Sequence, residues 1–274
     1  MEPGSEAAGF TERLAQVVEC FGPPPHECSF MQIVRRTGLP RASVHRMIGQ
    51  LTAVGWLEPG PGGRGHRLGA RLVWLLHAQL DADRLQALTA PVLTGLAQDS
   101  GAASFAARLV QGQVDLFATA TPENPGLSHV FPGIGIRPVH ACSSAKALVA
   151  FQPDSLRRAL LAAPRERFTG QTLTGDADLT AEHARIRRDG YAVCDGEINA
   201  GVVSLAVPVR LPRLGPVYAL GLIALADRLA PPHRPAAVQL LNRAAARLAT
   251  LLDPAPGLLP ALSDQPEIRH DPAS

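Results

Sequence analysis

The chain has 274 residues, 46% of them hydrophobic and 4% aromatic, and a formal net charge of +2. Such a length has room for two domains at roughly 150 residues each, with mostly aliphatic cores. A disordered or strongly polyionic chain is excluded by this balance, and no apolar run approaches the ~20 residues needed to span a bilayer, so no membrane partner is expected.

Residues 1–9 are predicted to be disordered. A first helix is predicted over 10–21, with Leu14, Val17, Val18 and Phe21 on one face, ended by Gly22 and three prolines. Phe30, Ile33 and Val34 mark a short second helix that stops at Thr37 and Gly38. The next helix, over 40–54, opens on proline, which suits a first turn because its missing N–H has no partner there. Val44, Met47, Ile48 and Leu51 then recur at the i, i+3, i+4, i+7 spacing of one buried face. Its other face carries Arg41, Ser43, His45, Arg46 and Gln50, side chains that can donate to phosphates or base edges. Two helices joined by a glycine-containing turn fit a helix-turn-helix. After Gly55 and the pair Trp56 and Leu57, a turn over 59–65 and a return strand over 66–68 make a wing with Arg64 at its tip and Arg67 on its return.

Charge supports this reading. Residues 31–71 hold seven arginines and one acid, Glu58, a net of +6 in a chain that totals +2. A concentrated positive patch is the footprint of a phosphate-binding surface. Arg41, Ser43 and Arg46 are assigned to groove contacts, Arg35, Arg36, Arg64 and Arg67 to phosphates, and His45 to either. The expected partner is double-stranded DNA. A solvated arginine-rich hairpin used for protein contact is the alternative.

A leucine-rich helix is predicted over 70–80 and another over 84–100, kinked or started by Pro91. Such a connector is a core helix or a dimerising linker; the linker is favoured, because readers of this type pair on two half-sites. From residue 103 the period changes to that of strands. Strands are predicted over 104–110 and 114–121, joined by a hairpin at 111–113. Residues 121–135 read as loop. Helices follow over 143–151, 156–163 and 179–189, then strands over 191–195, 202–209 and 217–225. A closing helix spans 235–252, and the tail 253–274 is predicted to be disordered. The fold class is α+β with a mostly antiparallel sheet.

The four cysteines, at 20, 28, 142 and 194, are irregularly spaced, with no disulfide framework and no C-x-x-C zinc pair. With no signal pattern at the N-terminus, a cytoplasmic protein is expected. Cys142 near His140, or Cys194 beside Asp195, mimics a nucleophile–base pair, but no oriented base or oxyanion site is identified. Asp195 and Glu197 lack histidine partners at metal-ligand spacing. No catalytic residue, metal or other cofactor is assigned, and no enzyme is expected.

Several blocks in order resemble the IclR family of bacterial transcription regulators, over about residues 10–252. In the N-terminal part these are Thr37-Gly38-Leu39-Pro40, Val44-His45-Arg46, Leu51, Gly55 and Leu68-Gly69. In the C-terminal part they are Pro138-Val139-His140 with Ala145-Lys146-Ala147, Gly190-Tyr191 with Asp195, Glu197 and Gly201, and Ala206-Val207-Pro208-Val209 with Asp227-Arg228-Leu229. The resemblance implies a winged helix-turn-helix domain over 10–69, a linker helix over 70–83 and a GAF-like effector-binding domain over 84–252. It also implies dimers or tetramers on palindromic operators, modulated by a small-molecule effector. By position, the effector site falls on Arg137, Ser143, Ser144, Cys194, Asp195, Val202 and Ser204, with residues 222–224 as a further wall. Arg137 is the candidate grip for an organic or aromatic acid. The family usually has glycine before the lysine of the first C-terminal block. This chain has Ala145, which implies an altered pocket or a lost ligand response.

Overall fold

The computed structural model describes residues 9–22, 26–63, 65–78, 82–123, 130–211 and 214–252. The expectations for residues 1–8, for the prolines after the first helix, for Arg64, for the end of the helix at 70–80 and for the tail from 253 lie outside them. The chain forms two compact units, the first ending at Leu75 and the second beginning at Leu76.

The first unit holds α1 (Phe10–Glu19), α2 (Phe30–Thr37), α3 (Arg41–Ala53) and a hairpin of β1 (Leu57–Pro59) and β2 (His66–Leu68). Ser29 and Gln32 form a capping box that starts α2: the Ser29 hydroxyl accepts from the Gln32 amide at 3.3 Å, and the Ser29 amide donates to Gln32 Oε1 at 2.7 Å. Gly38 ends α2 at φ 67°, a left-handed conformation that glycine adopts without steric penalty. Val17, Phe21, Ile33, Val44, Met47, Leu51 and Leu57 share one core. The wing is tied to the stretch before α2, because the amides and carbonyls of Cys28 and His66 exchange two bonds of 2.9 Å. α4 (Ala70–Ala78) follows β2.

The second unit holds α5 (Ala82–Ser100), β3 (Ala103–Val110), β4 (Gln113–Ala120), β5 (Gly135–Arg137), α6 (Ser143–Val149), α7 (Asp154–Leu160), α8 (Asp176–Asp189), β6 (Ala192–Asp195), β7 (Val202–Leu211), β8 (Gly215–Leu225) and α9 (Arg234–Leu252). The strands form one sheet in the order β5-β4-β3-β8-β7-β6, with every neighbouring pair antiparallel. α5 and α9 pack on one face, against Ala106, Leu205, Val207, Leu220 and Leu222. α6 covers the other, against Phe105, Ala107, Ala206 and Ala219, and Ile186 of α8 joins the same cluster. Successive strand residues face opposite sides, and both sides of β7 are covered: Val203, Leu205 and Val207 turn one way, the buried Ser204 and Ala206 the other.

Three sequence expectations are corrected. Gly135, predicted as the end of a loop, opens a strand over 135–137 that was not predicted; three residues starting with glycine carry no period to detect, and pairing with β4 makes the strand. α5 matches the helix predicted over 84–100 and carries Pro91 inside it, so of the two roles expected for that proline it is not the helix start. α7 lies earlier than the helix predicted over 156–163. α8 begins at Asp176, ahead of the predicted 179, with Asp176 and Asp178 in its first turn, where carboxylates oppose the helix dipole.

Candidate DNA-contacting face and ligand pocket

Val44, Met47, Ile48 and Leu51 are buried, and their burial turns the opposite side of α3 to solvent. Arg41, His45, Arg46 and Gln50 are exposed there, and Ser43 is half-buried. The His45 ring stands edge-on to Phe30, with centroids 6.3 Å apart. Arg35 is exposed in the last turn of α2. Two arginines assigned to phosphates have partners within the protein. Arg36 donates from Nη1 to the Cys20 carbonyl at 2.6 Å and lies 3.4 Å from the Cys28 sulfur, tying α2 to the end of α1. Arg67 donates from Nε to Glu58 Oε1 at 2.7 Å, because β1 and β2 put the two residues directly opposite each other. The sequence reading counted Glu58 in the charge sum and missed this pairing, which cross-strand register alone decides.

In the second unit, a cavity of about 100 Å³ lies on the α6 side of the sheet. Phe105 of β3, Leu116 of β4, Cys194 of β6, Val202 and Ser204 of β7 and Ile223 of β8 form its sheet wall. Residues 130–133 with Arg137, Cys142 at the start of α6, and Ile198 with Asn199 complete it. Four of the seven residues assigned to the effector site therefore meet here: Arg137, Cys194, Val202 and Ser204.

The other three do not line this cavity. Ser143 is fully buried behind Ser204, their hydroxyl oxygens 2.7 Å apart. Ser144 is also fully buried, 3.3 Å from the Cys142 sulfur. Asp195 is exposed and pairs with Arg234 at 2.6 Å. The placement of Asp195 has a simple cause: Cys194 and Asp195 are neighbours on a strand and face opposite ways. The same alternation selects Ile223 from the predicted wall 222–224 and sends Leu222 and Ala224 into the opposite core. Phe105, Leu116, Ile198 and Asn199 were missed, since only sheet pairing brings their distant segments together.

Polar groups in the cavity are few. Arg137 donates from Nη2 to the Gly133 carbonyl, while its Nε is buried and has no hydrogen-bond partner. Burial pushes the Cys194 thiol up to about 11, and the nearby Glu197 and Cys142 add to the shift. Neither cysteine bonds the base once considered for it. His140 Nε2 lies 2.9 Å from the Glu166 carbonyl and its ring stacks on Phe168, while Cys194 turns away from Asp195. Walls of Phe105, Leu116, Val202 and Ile223 with the Arg137 guanidinium and the neutral polar groups of Ser204 and Asn199 can hold a small molecule that has an apolar body and an anionic end.

Behind the cavity lies a charge cluster. Lys146 is buried and sits 2.5 Å from Glu197 Oε1 and 3.5 Å from Glu182 Oε1. Burial raises the Glu197 carboxyl above its ordinary range, outweighing the lysine's attraction. For Glu182, burial pushes up, but the Arg185 bonds and Lys146 together bring it below that range. Ala145, in the position where glycine was expected, is the third residue of α6. It is fully buried in the apolar cluster and does not line the cavity. A helical residue needs no positive φ, so the backbone reason for glycine does not arise here.

Comparison with known proteins gives a consistent picture. Residues 77–250 match the family model described as bacterial transcriptional regulator IclR C-terminal. Residues 11–61 match the IclR helix-turn-helix domain. The chain is 28% identical over 226 residues to the glycerol operon regulatory protein of Streptomyces griseus, covering 82% of this chain and 88% of that one. It is 33% identical over 197 residues to the HTH-type transcriptional regulator TtgV of Pseudomonas putida, covering 71% of this chain and 73% of that one. Among solved structures, an IclR homolog from Microbacterium hydrocarbonoxydans, complexed with 4-hydroxybenzoate, matches with a TM-score of 0.55 and 28% identity. That match covers 89% of this chain and 99% of the other. Among the described residues, no helix is long and apolar enough to cross a membrane.

Proposed function

The chain belongs to the IclR family of bacterial transcriptional regulators, with an N-terminal helix-turn-helix DNA-binding domain, and we propose that a small organic or aromatic acid held beside Arg137 controls its binding to DNA. The DNA is a palindromic operator, read by a dimer or tetramer through the exposed face of α3. The observation that carries the effector reading is the buried, unpartnered Nε of Arg137, among the described residues the one charged side chain lining a cavity of mixed apolar and neutral polar residues. A buried donor left unpaired costs about 1–3 kcal/mol. A ligand carboxylate would recover that cost and gain a charge-assisted bond. The cavity's size favours a compact acid, and a relative's structure holds 4-hydroxybenzoate. Ligand binding would act as a population shift, favouring the arrangement of paired subunits in which both DNA-reading heads match, or miss, the two half-sites.

Calorimetric titration of the whole protein with 4-hydroxybenzoate, benzoate, short aliphatic acids and the matching neutral amides tests this, together with operator binding with and without each compound. The acids should bind and change operator affinity, the amides should bind far less well, and Arg137→Ala should erase the preference for acid. Equal acid affinity in wild type and Arg137→Ala would remove Arg137 from the site. If no compound changed operator affinity, the protein would be a ligand-independent regulator.

A further inference from the structure

Lys146 is the only lysine of the chain and is fully buried. Burying an ammonium is costly unless it is closely paired, so its partners are strictly chosen. Those partners are Glu197 at 2.5 Å and Glu182 at 3.5 Å, and neither Lys146 nor either glutamate lines the cavity. What the lysine joins is two of the cavity's walls. Its own amide bonds the carbonyl of Cys142, one helical turn back, at 2.9 Å, and Cys142 is a wall residue. Glu197 immediately precedes Ile198 and Asn199, the opposite wall.

Other bonds hold this second wall from outside. The hydroxyls of Thr169 and Thr172 donate to the carbonyls of Gly196 and Glu197 at 2.7 and 2.6 Å. They fasten the loop to the segment 169–172, whereas the lysine fastens it to α6. Among the described residues, Lys146 supplies the one side-chain bond to the Glu197 carboxylate, through Oε1, while the backbone at Leu173 also favours the charged form of that carboxylate. Glu182 is held separately by Arg185, at 2.8 and 2.9 Å.

We propose that Lys146 and Glu197 are positioning residues for the pocket: their ion pair sets the wall of Ile198 and Asn199 against the wall of Cys142, and so sets the cavity's shape without touching a ligand. The effect on acid binding rests on the effector reading above; the effect on cavity closure does not. Cys142 and Cys194 report closure directly, being 7% and 5% exposed, while the buried Cys20 and Cys28 of the other unit serve as internal references.

The experiment labels the full-length protein with N-ethylmaleimide and reads each cysteine by peptide mass spectrometry, alongside thermal melting and titration with 4-hydroxybenzoate. The charge-free pair Lys146→Met with Glu197→Met is the main variant, because apolar replacement of a buried ion pair is often neutral for stability. It should melt near wild type, with Cys142 and Cys194 labelled about tenfold faster and Cys20 and Cys28 unchanged. Its affinity for 4-hydroxybenzoate should fall about tenfold, about 1.4 kcal/mol, through the altered wall rather than a lost contact. Unchanged labelling at Cys142 and Cys194, or equal increases at all four cysteines, would overturn the proposal and leave the pair a purely structural one. If the double variant fails to fold, Glu197→Gln decides in the same way, since it keeps an oxygen acceptor for Lys146 but removes the charge. If wild type itself ignores 4-hydroxybenzoate, the effector reading suffers, and the labelling still decides this proposal.

Discussion

Arg67 and Glu58 face each other across the wing, Nε to Oε1 at 2.7 Å, each side chain about a quarter exposed. The carboxylate thereby occupies a guanidinium on the strand that was expected to reach phosphate. A partly exposed pair of this kind contributes about 0–1 kcal/mol to stability, so its larger effect is on what Arg67 can offer to DNA.

Glu58→Gln is therefore expected to strengthen DNA binding of every sequence alike. Freeing one phosphate contact per subunit should steepen the slope of log affinity against log salt by about 0.9 for each DNA-bound subunit. Anisotropy titrations at several salt concentrations measure this, on operator and on unrelated duplex. A slope equal to wild type would place the wing strand away from the phosphates.

Arg46→Ala should behave differently. Arg46 is exposed on α3 beside the buried Met47, so its loss should leave the melting temperature nearly unchanged. If it reads a base edge, operator affinity falls by roughly 1–3 kcal/mol while non-specific affinity falls much less. Equal losses on operator and random DNA would reassign Arg46 to the phosphate backbone.

Gly221 is a packing position. A Cβ there would lie 2.0 Å from Phe105 Cζ and 2.7 Å from the Leu205 carbonyl oxygen. The Phe105 ring fills the space above the glycine, and the carbonyl belongs to the neighbouring strand β7, so neither moves freely. Gly221→Ala should destabilise the protein by about 1–3 kcal/mol in urea unfolding and disturb the pocket wall that Phe105 forms. A variant as stable as wild type would show that the ring has room to turn.

His183 gives a pH dependence. Burial, aided by Arg157 and Arg187, pushes its ring down from 6.5 to about 4, and its Nε2 is buried without a partner. Between these two values the unfolded chain takes up a proton that the folded chain refuses. Stability then rises with pH through this window and falls on acidification, by roughly 3 kcal/mol over the whole of it. Above about 6.5 the ring is neutral in both states and contributes no slope. Glu182, held below its ordinary range, adds acid-side loss, and Glu197, held above its own, opposes it. Comparing denaturation curves of wild type and His183→Phe from pH 4 to 6.5 isolates the histidine. The variant should show the shallower dependence; identical curves would refute it.

Much of this was legible in the residues. The α3 pattern of Val44, Met47, Ile48 and Leu51 predicted which side is buried, and the structure buries all four. The strand periods located β3, β4, β6, β7 and β8 to within a few residues. The pocket residues were assigned by position from the family resemblance; Val202 and Ser204 share a face of β7 and meet at the cavity, whereas Cys194 and Asp195, adjacent on β6, face opposite ways. β5 was unreadable because three residues cannot display a period.

By itself the sequence determined the local geometry: helical faces, strand periods, the turn glycines and the concentration of arginine before residue 72. These depend on residues a few positions apart, and backbone periodicity dictates them. Only the tertiary structure decided the pairings across long separations. Lys146 meets Glu197 51 residues away, and Ser143 meets Ser204 61 residues away. Arg67 spends its charge on Glu58 because of a register that the hairpin sets. Whether a charged or polar group is solvated, paired or orphaned is a property of its surroundings. For Arg137, Glu197 and His183, those surroundings are assembled by the folded sheet and its helices.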